Sequence, residues 1–269
     1  MIRNRIARVA AAIAVATSIV ALAVPQGAFA VTDIKMAGST TVQPLANQWA
    51  RAYKTVNPNA NVIVAGGGSS VGFSNVMQGI VDIGMSSRDP KPGAESSLTK
   101  YVIARDAVAV IVNKKNPVRA LTADQVKRIY LGQITNWNQV GGPNAAIVLS
   151  GRTGASGTYE FFKEKFLSNT RQSIRTKAYA SNGMVRSSVT RNRFAIGYVS
   201  LAYVNPSVRA LKIDGVTPSK ATAASGAYPY VRPLYFLTKG APSAEAQAFI
   251  SWCMSPAGQT IAAKEYLHY

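Results

Sequence analysis

The 269-residue chain has one cysteine, Cys253, and one histidine, His268. A single cysteine excludes an internal disulfide framework. Its place in the apolar run Phe249-Ile250-Ser251-Trp252-Cys253-Met254 predicts a buried thiol. A single histidine at the extreme C-terminus makes a Ser-His-Asp arrangement improbable. No His, Cys and carboxylate residues stand at zinc-ligand spacing, so neither a metal nor a cofactor is expected. Acidic residues are scarce, 11 against 30 Lys and Arg, and no two stand paired for metal-assisted hydrolysis. Past residue 30 no apolar run is long enough to span a bilayer. The glycine loops lack the Lys-Ser/Thr ending of a nucleotide P-loop and the spacing of a dinucleotide fingerprint, which excludes ATP and NAD.

Residues 1–30 carry Arg3, Arg5 and Arg8, then an Ala/Ile/Val-rich stretch, then the small-x-small site Ala28-Phe29-Ala30. That order predicts a secretory signal peptide cleaved near Ala30, hence a periplasmic or secreted mature protein. Removing its three arginines leaves 27 basic and 11 acidic residues, a net charge of +16 with His neutral. Such a field draws in anions. The basic residues are scattered, with no basic helix or RNA-type aromatic motif, so a small oxyanion or an anionic cell surface is expected rather than nucleic acid.

One stretch organises the rest: Gly151-Arg152-Thr153-Gly154-Ala155-Ser156-Gly157-Thr158. An apolar strand is expected before it, at 145–149, and an amphipathic helix after it, at 159–167. A helix start offers free N–H groups and the positive end of its dipole. Ser156 and Thr158 add hydroxyls, and Arg152 adds a fixed cationic fork. The same strand, Gly/Ser/Thr loop and helix recur at Gly38-Ser39-Thr40-Thr41 and at Gly66-Gly67-Gly68-Ser69-Ser70. Three such loops without a carboxylate point to a bound anion.

Further strands are expected at 81–86, 101–106, 107–113, 194–199, 208–213 and 231–237. A capped helix is expected at 122–130, with two more in 243–265 broken at Pro256. The apolar run 107–113 suits a crossover between two lobes.

In chain order, Ala37-Gly38-Ser39-Thr40-Thr41-Val42, Gly67-Gly68-Ser69-Ser70, Asp82-Ile83-Gly84-Met85-Ser86-Ser87-Arg88, Leu121-Thr122, Ile134-Thr135-Asn136-Trp137 and Arg152-Thr153-Gly154-Ala155-Ser156-Gly157-Thr158 resemble the phosphate-binding component of the phosphate ABC importer, the PstS family, in its shorter branch. The resemblance implies an α/β, two-lobed type II periplasmic-binding-protein fold. Each lobe would be a mixed sheet flanked by helices, and two crossover segments would join them. On the expected boundaries lobe 1 is 31–112 with 199–269, and lobe 2 is 113–198. The implied activity is capture of inorganic phosphate between the lobes and delivery to a membrane permease, as a monomer and without catalysis. The implied ligands are Thr40, Thr41, Ser69, Arg152, Ser156, Gly157 and Thr158, with Arg152 as the one formal charge. Ser87 stands where long-chain members carry an Asp that accepts the proton of hydrogen phosphate. Asp106, a charged residue beside an apolar run, could be a structural ion-pair partner, but the expectation here is that it reaches the cleft, joins the phosphate ligands and replaces that acceptor, with Asp89 a further candidate. The alternative function is an exported phosphate-ester hydrolase or a cell-surface adhesin.

Overall fold

A computed structural model describes residues 31–269; the predicted signal peptide lies outside the described residues. The chain opens with β1 (Thr32–Gly38), α1 (Gln43–Val56), β2 (Ala60–Gly67), α2 (Ser69–Met77) and β3 (Ile83–Ser86). The long β4 (Thr99–Asn113), the short β5 (Ala120–Leu121) and α3 (Ala123–Tyr130) follow. Then come β6 (Val148–Arg152), α4 (Gly157–Leu167), β7 (Lys177–Tyr179), α5 (Asn182–Arg191) and β8 (Ala195–Ser200). The chain closes with β9 (Val208–Ala210), β10 (Lys212–Ile213), α6 (Lys220–Ala224), β11 (Val231–Thr238), α7 (Ala244–Met254) and α8 (Pro256–Ala262).

β4 holds the architecture together. Its first half, residues 99–107, pairs antiparallel with β11, while Val108 to Val112 pair antiparallel with β8. The main sheet runs β2-β1-β3-β11-β4-β8-β6-β7, with β9 also on β4. Residues from Ile103 to Val112 other than Arg105 are buried, as a strand covered on both faces requires. The two expected strands at 101–106 and 107–113 are therefore one strand that changes partners at Ala107 and Val108.

Each half of the sheet has its own core. On the first half Trp49 and Tyr53 of α1 pack with Phe236 of β11 and with Phe249 and Cys253 of α7. The opposite face is covered by Phe73 and Val76 of α2. On the second half Phe162 stacks on Tyr198, Tyr130 packs edge-on against both, and Trp137 and Val110 belong to the same core. Val185 and Val189 of α5 cover the other face. The Thr122–Gln125 capping box starts α3 as its sequence predicts.

The second core extends past β8. Leu211, Ile213, Ala223 and Tyr228 all pack into the second core, with Val118, Leu121 and Tyr130. Residues 211–228 thus pack with the second half of the sheet, and the chain returns to the first half of β4 at Val231. The apolar run 208–213 is also two strands, because Leu211 turns into the core between β9 and β10.

The C-terminal tail is tied down. Leu267 and Arg105 exchange two backbone hydrogen bonds of 2.9 Å, and the Tyr266 hydroxyl donates to the Thr41 carbonyl at 2.8 Å. Tyr266→Phe removes that strut from the first glycine loop. It should lower stability by about 1 kcal/mol, the net worth of one neutral hydrogen bond. A urea midpoint unchanged in the variant would show that the loop does not need it.

Candidate functional site

The three glycine loops converge. The first follows β1, the second separates β2 from α2, and the third separates β6 from α4. The strand expected at 145–149 begins three residues later, at Val148, and carries Gly151 and Arg152 as its last residues. Ala145 and Ala146 instead bond to the 135–137 turn. Arg152 is therefore anchored by a strand, with its backbone N–H donating to the Tyr198 hydroxyl at 3.1 Å.

Ser39, Thr40, Thr41, Ser69, Ser87, Arg152, Ser156 and Thr158 are all buried. Hydroxyls from the two halves meet directly. Thr41 Oγ1 lies 3.2 Å from Thr158 Oγ1. Ser39 Oγ donates to Ser87 Oγ at 3.0 Å, and Ser69 Oγ accepts from the Ser87 N–H at 3.0 Å. Ser156 Oγ caps α4 by accepting from the Tyr159 N–H at 3.2 Å, which leaves its hydroxyl proton to donate elsewhere. The N–H groups of Ser69, Gly157 and Thr158 make no hydrogen bond to any described residue, as expected of first-turn positions. Two helix N-termini, α2 and α4, thus face one cluster of hydroxyls.

Two glycines make the convergence possible. Gly68 has φ +104°, and a Cβ there would lie 2.5 Å from the Ala155 carbonyl oxygen. A Cβ at Gly157 would collide with Ser69 Oγ and lie 2.8 Å from Ser87 Oγ. Gly157→Ala should therefore wedge the two halves apart, at a cost of about 1–3 kcal/mol in ligand affinity, the range for overpacking. Calorimetry that finds wild-type affinity in this variant would show that the loops need not touch.

Two guanidiniums enter the cluster, not one. Arg152 Nη2 donates to Thr40 Oγ1 and to the Ala180 carbonyl, both at 3.0 Å, and Nε donates to the Tyr179 carbonyl at 3.2 Å. Its Nη1 is buried and has no partner among the described residues. Burial presses the Arg152 pKa down to about 10, Tyr198 opposes this, and the Arg232 charge adds to it, so the group is still a cation at neutral pH. The second guanidinium is Arg232, on β11. Its Nη2 is shared among Thr41 Oγ1 (3.1 Å), Thr158 Oγ1 (3.0 Å) and Asp106 Oδ2 (2.9 Å). Its Nη1 donates to the Ser87 carbonyl at 3.1 Å.

Asp106 stands behind Arg232 and does not reach the hydroxyls. Ser200 Oγ donates to its Oδ1 at 2.6 Å, and Arg232 Nε and Nη2 donate to Oδ2. Burial pushes this carboxyl above the usual range while Arg232 and Ser200 oppose the shift. Both of its oxygens are engaged within the protein, and its ion pair is with Arg232. Asp89 points elsewhere, accepting from the Tyr235 hydroxyl at 2.6 Å. Arg88 is also outside the cluster, paired with Glu95 at 2.6 and 2.8 Å and stacked over Phe73. The formal charge around the hydroxyls is thus +1, from Arg152, Arg232 and Asp106.

Sequence reasoning missed Arg232, Asn182 and Tyr203. Asn182 Nδ2 donates to Thr41 Oγ1 at 3.0 Å, and the Tyr203 hydroxyl donates to the Thr40 carbonyl at 2.7 Å. Arg232 did leave a signal: an arginine inside the apolar strand run 231–237 needs a buried partner. Asp106 posed the same problem in β4, and the two are register neighbours across the β4–β11 pair. Asn182, at the start of α5, left none. His268, exposed and bonded to its neighbour Tyr269, takes no part. Among the described residues no group of three or more His, Cys, Asp or Glu could hold a metal ion.

The cluster is flanked by two cavities rather than open to solvent. One, of about 410 Å³, is bordered by Arg232, Phe161 and Arg88; the other, of about 680 Å³, is bordered by Arg152, Tyr159 and Arg171.

Comparison with known proteins meets this geometry. The profile of a family described as a PBP superfamily domain matches residues 23–257. The phosphate-binding protein PstS of Bacillus subtilis is 32% identical over 227 residues, covering 83% of this chain and 75% of that one. A crystal structure of a phosphate ABC transporter substrate-binding protein from Clostridium perfringens, with bound phosphate, superposes with a TM-score of 0.85 at 36% identity, covering 88% of this chain and 100% of that one. An ABC-type phosphate transport receptor from Vibrio cholerae gives 0.73 at 31% identity, with coverage of 88% and 100%. Fold, loop order and sequence agree: the chain belongs to the PBP superfamily, in the family of PstS phosphate-binding proteins.

Proposed function

We propose that this protein is an exported solute-binding protein that captures one inorganic phosphate ion between its lobes and presents it to the membrane permease of an ABC importer. The observation that carries this reading is the buried Arg152 Nη1, unpartnered within the protein, beside hydroxyls and helix N-termini drawn from both halves of the sheet. A buried cationic donor without an acceptor is costly, and an oxyanion satisfies it. The ligand set is Thr40, Thr41, Ser69, Ser87, Arg152, Ser156, Gly157 and Thr158. Arg232 and Asn182 join it, and Asp106 holds Arg232 in place.

Capture follows from the parts. Hydroxyls and first-turn N–H groups replace the ion's hydration shell, and the net charge of +1 offsets part of the anion's charge. Because the loops touch across the halves, entry requires the lobes to part at the crossovers, Ala107/Val108 and Val231. Lobe 1 is then 31–107 with 231–269, and lobe 2 is 108–230. Export, action as a monomer and the absence of catalysis belong to the same reading. No histidine lies near the cluster, and its one carboxylate is committed to Arg232, so a hydrolytic role lacks a general base.

The test is calorimetry of the mature chain against phosphate, sulfate, molybdate and arsenate, with a melting scan beside it. Phosphate should bind one to one, and at a hundred times its Kd should stabilise the fold by about 2.7 kcal/mol. A chromogenic phosphate ester should not turn over. Steady release of phosphate from that ester would favour the hydrolase, and no heat or melting shift with any oxyanion would sink the reading.

A further inference from the structure

The charge of this protein is not spread evenly. Residues 108–230 hold 17 Lys and Arg against four acidic residues, net +13. The rest of the described chain holds ten against seven, net +3. Between Glu164 and Asp214 there are nine basic residues and no acidic one. Most of this charge lies outside the anion cluster, which takes only Arg152 from it.

Part of it lines a separate cavity of about 380 Å³, bordered by Asn113, Lys114, Lys115, Arg191, Arg193 and Ser207. Thr190 adds a second hydroxyl beside Ser207, the two lying 3.1 Å apart. No carboxylate borders the cavity, and none of its four cations forms a salt bridge with a described residue. Four cations drawn together without counter-charge repel one another, and an anion relieves that repulsion.

The cavity is also framed by fixed backbone. Asn113 Nδ2 donates to the carbonyls of Val189 (2.9 Å) and Thr190 (2.7 Å), which ties the turn after β4 to the end of α5. It also satisfies carbonyls whose partial negative charge would otherwise oppose an anion there. Arg209 donates to the Lys114 and Asn116 carbonyls at 2.8 and 2.6 Å and holds the same turn from the other side.

We infer that this cavity is a second anion site, and that its ligand is a linear polyphosphate chain. Four cations exceed what a single small oxyanion needs, so the ligand carries several charges in line. The cations line a hollow and no large apolar side chain borders it, which fits a narrow chain better than a flat bilayer. No aromatic ring borders it, and Phe194, next to Arg193 in the chain, is covered by that arginine at 5.1 Å, so no stacking platform is offered to bases. The site would hold phosphate polymer close to a protein that collects phosphate.

The experiment is fluorescence anisotropy with labelled linear polyphosphate as probe, at near-physiological ionic strength. Excess inorganic phosphate is present throughout, so that cleft binding does not contribute. The wild-type chain should bind, with affinity rising with polymer length. The K114Q/R191Q/R193Q variant should lose at least tenfold in affinity while binding inorganic phosphate in calorimetry as the wild type does. The control R128Q/R175Q/K177Q removes the same charge from the same half of the protein and should lose less than threefold. Equal losses in both variants would reduce the effect to net charge and overturn the site. No binding by the wild type would overturn it too, as would displacement of the probe by duplex DNA or anionic vesicles at matched phosphate concentration.

Discussion

Arg152→Ala should weaken phosphate binding by about 2–5 kcal/mol, the range for truncating one partner of a buried, hydrogen-bonded charge pair. That is a loss of roughly thirtyfold to several thousandfold in Kd. The size follows from the position. The guanidinium is 1% exposed, and its Nη2 and Nε are already committed to the protein. Only Nη1 is left to a ligand, at a place where water does not compete. Arg152→Lys should recover little, because an ammonium cannot hold Thr40 and the Tyr179 and Ala180 carbonyls while also reaching the ion. An unchanged Kd in calorimetry would remove Arg152 from the site and with it the argument from its unpartnered nitrogen.

Arg232→Met should cost about 3–5 kcal/mol of stability, because it strands the Asp106 carboxylate in the interior. It should also weaken phosphate binding, since Thr41, Thr158 and the Ser87 carbonyl all lose a donor. The double variant Arg232→Met/Asp106→Asn should recover part of the stability and none of the affinity. That split separates the ion pair's structural part from the guanidinium's part in the site. Asp106→Asn alone should leave the phosphate-over-sulfate ratio within about threefold of wild type, well under the 1.4 kcal/mol that a tenfold change represents. A tenfold narrowing would return Asp106 to the role of proton acceptor, against its three bonds to Ser200 and Arg232. Discrimination would then rest on a carboxylate after all, rather than on Ser87 and its neutral neighbours.

The parts of this molecule that local chemistry dictates were legible in its sequence. The three glycine loops and their helices, and the Thr122–Gln125 capping box, follow from periodicity and turn chemistry over a few residues. So does the burial of Cys253, which is fully enclosed between α7 and its neighbours. What depends on long-range pairing was not legible. Arg232 and Asp106 are 126 residues apart in the chain, and their pairing is set by the register of β4 on β11. The packing of residues 208–213 was hidden for the same reason: they resemble any short apolar stretch, and only contact with the second core assigns them. The start of β6 was misplaced because Ala145 and Ala146 are apolar yet bond to a turn instead of a strand.

The central claim is that one phosphate ion sits where the three loops meet, between the two guanidiniums. A crystal structure of the mature protein grown with phosphate tests it most directly. The account predicts a single ion in the cleft, with Arg152 Nη1 and the N–H groups of Gly157 and Thr158 within hydrogen-bond distance of its oxygens and Asp106 still paired with Arg232. Phosphate found only elsewhere, with Arg152 Nη1 turned to a protein acceptor, would contradict it.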